Sequence, residues 1–475
     1  MNKKTLFTKT LLSSALLAVA GGAQAAAFQL AEVSSSGLGR AYAGEAAIAD
    51  NASVVATNPA LMTLFKTNQF SAGGVYVDSK IRVDGTATAT LNGQPVAKGN
   101  ADNNNVVPGA FVPNLYYVAP INDKVALGAG MNVNFGLKSE YDRDYSAGIF
   151  GGTTDLTTIN LNFSGAYRVA KGFSVGAGIN AVYAKAEVER TAGIIADGLR
   201  NGAAAAQANA TKLANTPYAT QAATAAAQLS AASQGISSRE TVLTHLEDRS
   251  AWGFGYNLGL VYEFNERNRL GLAYHSKVDI KFKDRNAVSY MPYGVMPYTG
   301  AGTLTLNLPG YWEISGFHQL TDAFAVHYSY KYTEWSRLKN LHATYESVPA
   351  GSRNGDLAFH KEERYRDNTR VALGASYLVN DQLTLRAGIA YDEAAAPTEH
   401  ASASIPDTDR TWYSLGATYK FTPNLSVDFG FAHLRGKKVN FTETQSLGGG
   451  LVEVKADYRS KSSANLYGLN VNYSF

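Results

Sequence analysis

Residues 173–183, FSVGAGINAVY, alternate apolar side chains with small or polar ones. The odd positions from Phe173 to Tyr183 are apolar, the even ones are serine, glycine or asparagine, and Val182 is the one exception. Successive side chains of a β-strand point to opposite faces. The stretch therefore predicts a strand with one face suited to lipid and another that is polar and rich in glycine.

The same period of two recurs in about fourteen segments along residues 68–475. Short turns, such as residues 121–124 and 170–172, alternate with long connections, as periplasmic turns and outer loops do in bacterial outer-membrane barrels. The pattern predicts an all-β fold, an antiparallel transmembrane β-barrel of about fourteen strands. The segments start near Asn68, Ala110, Val125, Thr157, Phe173, Trp252, Arg269, Thr303, Ala323, Arg370, Leu383, Arg410, Leu425 and Ala464.

A soluble β-sandwich is the structural alternative, but it would bury its apolar faces in a single core. The 28 tyrosines and 20 phenylalanines instead suit the aromatic girdles of a membrane barrel. The last strand ends on Phe475, which resembles the signal that the barrel-assembly machinery reads. That machinery, outer-membrane lipid and lipopolysaccharide are therefore the expected partners.

Residues 1–25 have the pattern of a secretory signal peptide. Lysines precede a short apolar run at residues 11–20, and a small-residue cleavage pattern follows at residues 23–25. The run is well short of the roughly 20 residues that a spanning helix needs. We expect the mature chain to begin at Ala26 and the protein to lie in the bacterial outer membrane.

Composition and motifs argue against catalysis. The chain has no cysteine, which excludes disulfides and thiolate metal sites, and its formal charge of +3 gives no support for nucleic-acid binding. No serine-nucleophile, zinc-protease or phosphate-loop motif is present, and the 8 histidines lack metal-ligand spacing. We predict a protein that is not an enzyme and uses no metal or cofactor. The alternative is a lipase that assembles serine and histidine from neighbouring strands.

Residues 26–67 follow neither the signal pattern nor the strand pattern. Small residues dominate this segment, as expected of backbone that folds tightly inside a confined space. If residues 68–475 form a barrel, the segment is its plug, which we call the hatch. The residues assigned to the gate here are Gly37, Gly39, Asn58, Pro59 and Ala60.

Two outer connections have informative compositions. Residues 185–250 contain alanine runs that predict short helices over the outer mouth. Residues 283–302 concentrate tyrosine, valine and methionine, and the flexible thioethers of Met291 and Met296 suit contact with an acyl chain. The alternative is that this apolar loop packs on other loops.

Strand parity directs three arginines into the lumen. If the odd residues of 173–183 face lipid, Arg190 faces the channel, where it would pair with a carboxylate head group. The alternative is that it lines hydrated space or pairs with lumenal acids. Arg370 and Arg410 point inward by the same parity, and Asp367 lies nearby in sequence, so an ion-pair network that holds the plug is a further expectation.

A further set of short stretches is informative as a group: residues 28–30, 34–42, 47–50, 58–60, 112–114, 119–123, 151–156, 180–184, 305–309 and 405–407. They are spread over essentially the whole chain, and the most specific of them lie in the hatch. Through these stretches the chain resembles the long-chain fatty acid outer-membrane transporter family, the FadL type.

This resemblance implies a monomeric barrel that imports long-chain fatty acids by ligand-gated, energy-independent diffusion. By position, Phe28 would reach the ligand pocket from the hatch, and Arg190 would meet the carboxylate. A second basic residue, lysine in well-known members, is His342 here, so head-group binding would depend more on Arg190 or on pH. The ligand would leave sideways through a kink in the third strand, at Asn132, Val133, Asn134 and Gly136.

We therefore predict passive import of long-chain fatty acids. The first rival is a relative that takes up aromatic or other neutral hydrocarbons, for which a carboxylate clamp at Arg190 would be pointless. The second rival, from another class, is the outer-membrane lipase.

Overall fold

A computed structural model describes residues 28–290, 297–347 and 357–475. The predicted signal peptide, Ala26, Met291 and Met296 therefore lie outside the described residues. The strand segments are β1 (Gln69–Leu91), β2 (Gln94–Asn100), β3 (Ala110–Pro120), β4 (Val125–Asn132), β5 (Gly136–Glu140), β6 (Thr153–Ala170), β7 (Phe173–Thr191), β8 (Val242–Asn265), β9 (Asn268–His275), β10 (Val278–Ser289), β11 (Tyr298–Leu308), β12 (Tyr311–Gln319), β13 (Phe324–Thr333), β14 (Asn340–Tyr345), β15 (Leu357–Glu362), β16 (Asn368–Leu378), β17 (Leu383–Asp392), β18 (Arg410–Lys420), β19 (Leu425–Gly436), β20 (Val439–Leu447) and β21 (Val452–Ser474).

The helices are short or lie outside the sheet. They are α1 (Ser35–Leu38), α2 (Val54–Thr57), α3 (Ile194–Leu213) and α4 (Ala219–Gly235), with 3-10 turns at Pro59–Leu64, Trp335–Arg337 and Thr398–His400. Among the described residues, no helix has both the length and the apolar character to cross a membrane.

The segments form a closed barrel of 14 antiparallel strands, which confirms the predicted fold. Three of these strands consist of two segments each, namely β4 with β5, β9 with β10, and β11 with β12. Four further segments, β2, β14, β15 and β20, build hairpins at the outer rim. The barrel closes where β1 pairs with β21, from Gln69 opposite Ser474 to Leu91 opposite Val452. Apart from the third strand, whose β5 segment pairs with β6 alone in the described residues, the strands of the barrel are paired on both sides, so their backbone polar groups are satisfied without water.

The two faces of the wall differ as the alternation predicts. On β8, Phe254 is 73% exposed, whereas Asn257, which has the opposite parity, is completely buried. Exposed tyrosine, phenylalanine and leucine side chains continue around the outer wall. The outside is therefore suited to acyl chains, and the inside is filled by the hatch.

Strands extend further into the outer connections than the sequence predicts. The β7–β8 ladder continues as far as Thr191 opposite Val242, so the helical part of the predicted 185–250 loop begins only at α3. Similarly, β10 and β11 narrow the predicted 283–302 loop from both sides. The strands continue there because each backbone N–H and C=O group needs a hydrogen-bond partner, and the ladder supplies it.

Candidate functional site

The hatch fills the lumen through close backbone contact with the wall. A Cβ atom at Gly39 would lie 2.7 Å from the Cα atom of Gly416 on β18, and a Cβ atom at Gly37 would lie 2.7 Å from both Tyr42 and Glu45. Both glycines are thus required by close approach rather than by chain flexibility. Side chains of α1, such as the fully buried Leu38, pack against the inner wall.

Asn58 fastens the hatch to the wall. Its side-chain amide donates hydrogen bonds to the carbonyl oxygens of Ala46, at 2.7 Å, and of Leu260 on β8, at 3.0 Å. Its side-chain oxygen accepts from the backbone N–H of Ala60, at 3.1 Å, and thereby caps the turn that begins at Pro59. Asn58, in the predicted gate residues 58–60, therefore joins two parts of the hatch to strand β8.

Charged side chains connect the hatch to the wall at another position. Arg40 forms ion pairs with Glu45, at 2.7 Å, and with Asp50, at 2.8 Å. Asp50 also pairs with Arg386 on β17, at 3.2 Å. Arg370 donates a hydrogen bond to the carbonyl oxygen of Ala41, at 2.9 Å. Arg370 thus points inward to the plug, as expected, whereas sequence reasoning missed the pairing of Asp50 with Arg386.

The structure does not bring Asp367 or Arg410 into this network. Asp367 is exposed and accepts hydrogen bonds from Tyr332 and from the backbone N–H of Ser336. Asp367 lies just before β16, outside the strand whose alternation turns Arg370 inward. Arg410 is buried inside the barrel, as predicted, but its carboxylate partners belong to the barrel and its rim. They are Asp407, at 3.2 Å, and Asp392, at 3.9 Å.

Phe28 lies beside the predicted gap in the third strand. Between β4 and β5, residues 133–135 leave the ladder, and Gln29 forms an isolated bridge with Phe135. The carbonyl oxygen of Phe28 accepts a hydrogen bond from the backbone N–H of Gly136, at 2.9 Å. In the described residues β4 pairs with both β3 and β6, but β5 pairs with β6 alone. The start of the hatch therefore pairs with the interrupted strand next to the missing ladder.

An apolar cavity of about 90 Å³ adjoins Phe28. Phe28 is 2% exposed, and its ring packs against Phe135 and Trp335. Five acidic residues also border the cavity. Its apolar lining includes Phe28, Leu137, Phe282, Leu304, Leu341 and Phe359.

Phe359 also lines a second, polar cavity of about 700 Å³. Arg190 lines this cavity and is 5% exposed. Its guanidinium donates to the carbonyl oxygens of Thr153 and Glu189 and to the hydroxyl of Thr154, at 2.8–2.9 Å. Within the described part of the chain, no carboxylate lies at ion-pair distance from it. Arg190 is thus a buried cation whose charge has no direct counter-ion there.

His342 does not join Arg190. It is exposed on β14, and its Nδ1 atom lies 3.2 Å from that of His360 on β15. Its neighbours Leu341 and Ala343 line the apolar cavity, so His342 lies on the opposite face of the strand. Besides Arg190, the basic side chains that line the polar cavity are Lys361, His360 and His400.

Fold and site together define a membrane-spanning β-barrel whose lumen is filled by its own amino-terminal segment. The family described as outer membrane protein transport protein (OMPP1/FadL/TodX) matches residues 16–475, and the chain belongs to this family. It is therefore an outer-membrane transport protein and not an enzyme.

Relatives are similar over their full length. The chain is 61% identical to outer membrane protein P1 of Haemophilus influenzae, over 99% of both chains. It is 42% identical to the long-chain fatty acid transport protein of Escherichia coli K12, over 100% of both. Among solved structures, a Pseudomonas aeruginosa FadL homologue matches with a TM-score of 0.77 at 24% identity and covers 95% of this chain and 100% of its own. That last match supports the fold.

Proposed function

We propose that this protein imports long-chain fatty acids across the outer membrane by passive, ligand-gated diffusion. The observation that carries the proposal is the pair of cavities that share Phe359, one apolar and one containing Arg190. An amphiphile with one anionic end and a long apolar tail matches this pair. The name of the Escherichia coli relative, long-chain fatty acid transport protein, agrees with this ligand class.

The charges determine which end of the ligand lies where. Five acidic residues border the apolar cavity and would repel a carboxylate. Three glutamates, Glu362, Glu399 and Glu443, also line the polar cavity, but this cavity contains the buried guanidinium of Arg190 as well, which has no carboxylate partner among the described residues. A charge-assisted hydrogen bond to a carboxylate is about twice as strong as one between neutral groups. We therefore place the head group at Arg190 and the acyl chain toward Phe28.

Gating follows from the size of the apolar cavity. About 90 Å³ corresponds to roughly three water molecules, which is too little for a long acyl chain. Side chains that line the cavity must therefore move when the chain enters. Phe28 belongs to the hatch, so its displacement would transmit ligand entry to the plug.

We also propose a lateral exit at the interrupted third strand. Residues 133–135 leave the ladder between β3 and β6, and Phe28 pairs its backbone with Gly136 at that point. Movement of Phe28 would enlarge the apolar cavity and open the gap in the third strand. The apolar ligand would then reach the membrane without crossing the polar lumen.

The test is uptake of a radiolabelled long-chain fatty acid by a strain that lacks its own transporter and expresses this chain. Uptake should be restored by the wild type, and Arg190→Ala should weaken binding of the acid to the purified protein. Arg249→Ala is the matched control, because its side chain is 81% exposed at the rim. Equal binding of the acid and its methyl ester by the wild type would instead support a neutral hydrocarbon as the ligand.

A further inference from the structure

The outer wall changes from apolar to basic where strands β19, β21 and β1 lie side by side. Phe431, Tyr467 and Tyr76 are register partners on these strands and form one outward-facing row, each 36–51% exposed. Aromatic residues flank the apolar band of a membrane barrel at its interfaces with water. The next row toward the outer end is polar and consists of His433, Asn465 and Asp78. The apolar band of the wall therefore ends at the aromatic row.

Exposed cations form the following rows on the same face. Arg435 on β19 and Lys80 on β1 both lie opposite Ser463 of β21. One row further, Arg82 lies opposite Lys461. Alternate residues of a strand share a face, so these side chains continue the outward face of the aromatic row. Six exposed residues in this region are called the basic patch: Lys80, Arg82, Arg435, Lys437, Arg459 and Lys461.

The protein itself neutralises little of this charge. Arg82 pairs with Asp84 at 2.7 Å, and Lys437 pairs with Asp409 at 3.7 Å. In the part of the chain that the structure describes, the other four residues of the basic patch have no carboxylate at ion-pair distance. Arg82 and Lys461 are also direct cross-strand neighbours, and like charges in this position are destabilising. An anion from outside the chain would relieve this repulsion.

The concentration of cations belongs to one side of the barrel. The formal charge of the whole chain is only +3. On β7 and β8, Lys185 and Arg249 lie beyond the aromatic pair of Tyr183 and Trp252, at the same end of the wall. Four acidic residues accompany them there, namely Asp155, Glu187, Glu247 and Asp248. The basic patch is thus not a general feature of the outer rim.

We propose that the basic patch binds the phosphorylated sugar headgroup of lipopolysaccharide, whose acyl chains lie on the apolar wall below the aromatic row. The inference rests on the outer-membrane location of the chain and not on the proposed function. Guanidinium and ammonium groups form short, charge-assisted hydrogen bonds with phosphate oxygens. Lipopolysaccharide combines such phosphates with several acyl chains, so it matches a basic surface directly beside an apolar one.

The height of the basic patch agrees with the headgroup layer. Lys80 follows Tyr76 by four residues, which corresponds to roughly 10 Å along the membrane normal for a rise of about 3.3 Å per residue and a tilt of about 40°. The polar layer on each side of a bilayer is about 5–8 Å thick. Lysine and arginine side chains are long and bend toward the interface while their backbone lies further out. Phosphates in this layer are therefore within reach of the basic patch.

The basic patch also crosses the seam of the barrel. β1 and β21 are its first and last strands, and Arg82 and Lys461 lie on opposite sides of the seam. A phosphate bound between these two residues replaces repulsion by attraction. Lipopolysaccharide should therefore raise the temperature at which the barrel unfolds, because a ligand that binds only the folded protein stabilises it.

The experiment measures the affinity of fluorescently labelled lipopolysaccharide for the purified protein in detergent, with a chelator that removes bridging divalent cations. Arg435→Gln combined with Lys461→Gln should weaken binding about thirtyfold, since each cation near an anionic membrane surface contributes about fivefold. The matched control, Lys185→Gln combined with Arg249→Gln, removes as many exposed cations from another part of the wall and should leave the affinity unchanged. Lipopolysaccharide without its phosphates should bind the wild type only weakly.

Asp84→Asn provides a gain of affinity that misfolding cannot produce. It frees Arg82 from its internal partner, so binding should tighten severalfold. The inference is overturned if both double variants lose affinity equally, if neither loses it, or if Asp84→Asn weakens binding. It is also overturned if the dephosphorylated glycolipid binds as tightly as the intact one. Displacement of the label by an equal concentration of phosphatidylglycerol would overturn it as well, because the basic patch would then bind anionic lipids in general.

Discussion

The ring of Phe28 on the hatch packs edge to face against the buried ring of Trp335, with the centroids 4.9 Å apart. Trp335 also contacts Phe135 and Tyr365. An aromatic pair of this kind contributes about 0.5–1.5 kcal/mol beyond its buried area. The cluster links the start of the hatch, the interrupted third strand and the turn after β13.

Phe28→Ala should uncouple the ligand from the hatch. The substitution removes the ring that borders the apolar cavity and costs about 3–5 kcal/mol of local packing. We expect fatty-acid uptake to fall severalfold. We also expect the fluorescence of Trp335 to lose its response to the ligand; the signal of the other tryptophans, measured in a Trp335→Phe variant, is subtracted. Phe254→Ala, on the lipid-facing side, is the control. Wild-type uptake together with an unchanged fluorescence response would contradict a gating role.

Sequence alone predicts most of the barrel, because each strand carries its own alternation. It also predicts the inward direction of Arg190 and Arg370 from the same parity. Partners are harder to predict, since Asp50 and Arg386 are 336 positions apart and only the folded barrel brings them together. The strand parity also directs Arg410 inward, but it does not identify Asp407 and Asp392 as its partners.

The polar part of the candidate site could not be predicted from the sequence, for a different reason. Lys361 and Glu363 belong to the segment around β15, a rim hairpin inside what reads as one long outer connection. Its strands are short, and they have no lipid-facing side to impose the alternation of the wall. The resemblance directed attention to His342, which only the register of β14 and β15 places outside the cavity.

Asn58→Ala should loosen the hatch while the barrel stays folded. It removes the hydrogen bonds to Ala46 and Leu260 and the cap on Ala60, each worth about 0.5–1.5 kcal/mol. We expect a large antibiotic that the closed barrel excludes to enter cells faster. The heat-modifiable mobility of the protein on gels, which reports a folded barrel, should be unchanged. Deleting residues 58–60 should in addition impair fatty-acid uptake. Normal uptake by the deletion variant would mean that residues 58–60 occupy space in the lumen but have no role in transport.

Gly416→Val should displace the hatch from the wall. A Cβ atom at Gly416 would lie 2.6 Å from the Cα atom of Gly39, and backbone on both sides cannot yield as a flexible side chain would. We expect the hatch of the variant in detergent to be cleaved at a protease concentration that leaves the wild type intact. Gly165→Ala is the control, because its added Cβ atom would lie at an ordinary 3.6 Å from Leu127. Equal protease resistance of both variants would contradict the close-packed plug.

Gly136 offers a test of the lateral exit. An added Cβ atom there would lie 3.4 Å from the side chain of Leu30, so alanine fits, whereas a larger side chain enters the space beside the gap. We expect Gly136→Ala to import fatty acid normally and Gly136→Phe to import it severalfold more slowly. Binding in detergent, which does not require exit, should change less than uptake. Normal uptake by Gly136→Phe would argue against exit at this position.

The buried carboxyl group of Glu363 predicts a pH dependence of ligand binding. The pKa of Glu363 is raised from 4.5 to about 7, chiefly by burial; Lys361 and Arg190 lower it and Glu443 raises it, and the net value includes all of these effects. Tyr365 is close enough to interact with the same carboxyl group. The contribution of Glu363 to folding stability is full below about pH 4.5, where both states hold the proton, and is lost as pH rises through 7.

Ligand affinity should follow the same proton. At pH 6 Glu363 is mostly neutral, whereas at pH 8 it is ionised and competes with the ligand carboxylate for the positive charge of Arg190. The fatty acid itself stays charged over this range, since ordinary carboxyl groups titrate below about pH 5. We expect the Kd for the acid to rise several-fold, at most about tenfold, from pH 6 to pH 8. Glu363→Gln should bind with the same Kd at both values, and the methyl ester should show no trend with either protein. A pH trend that persists in Glu363→Gln would assign the titration to another group.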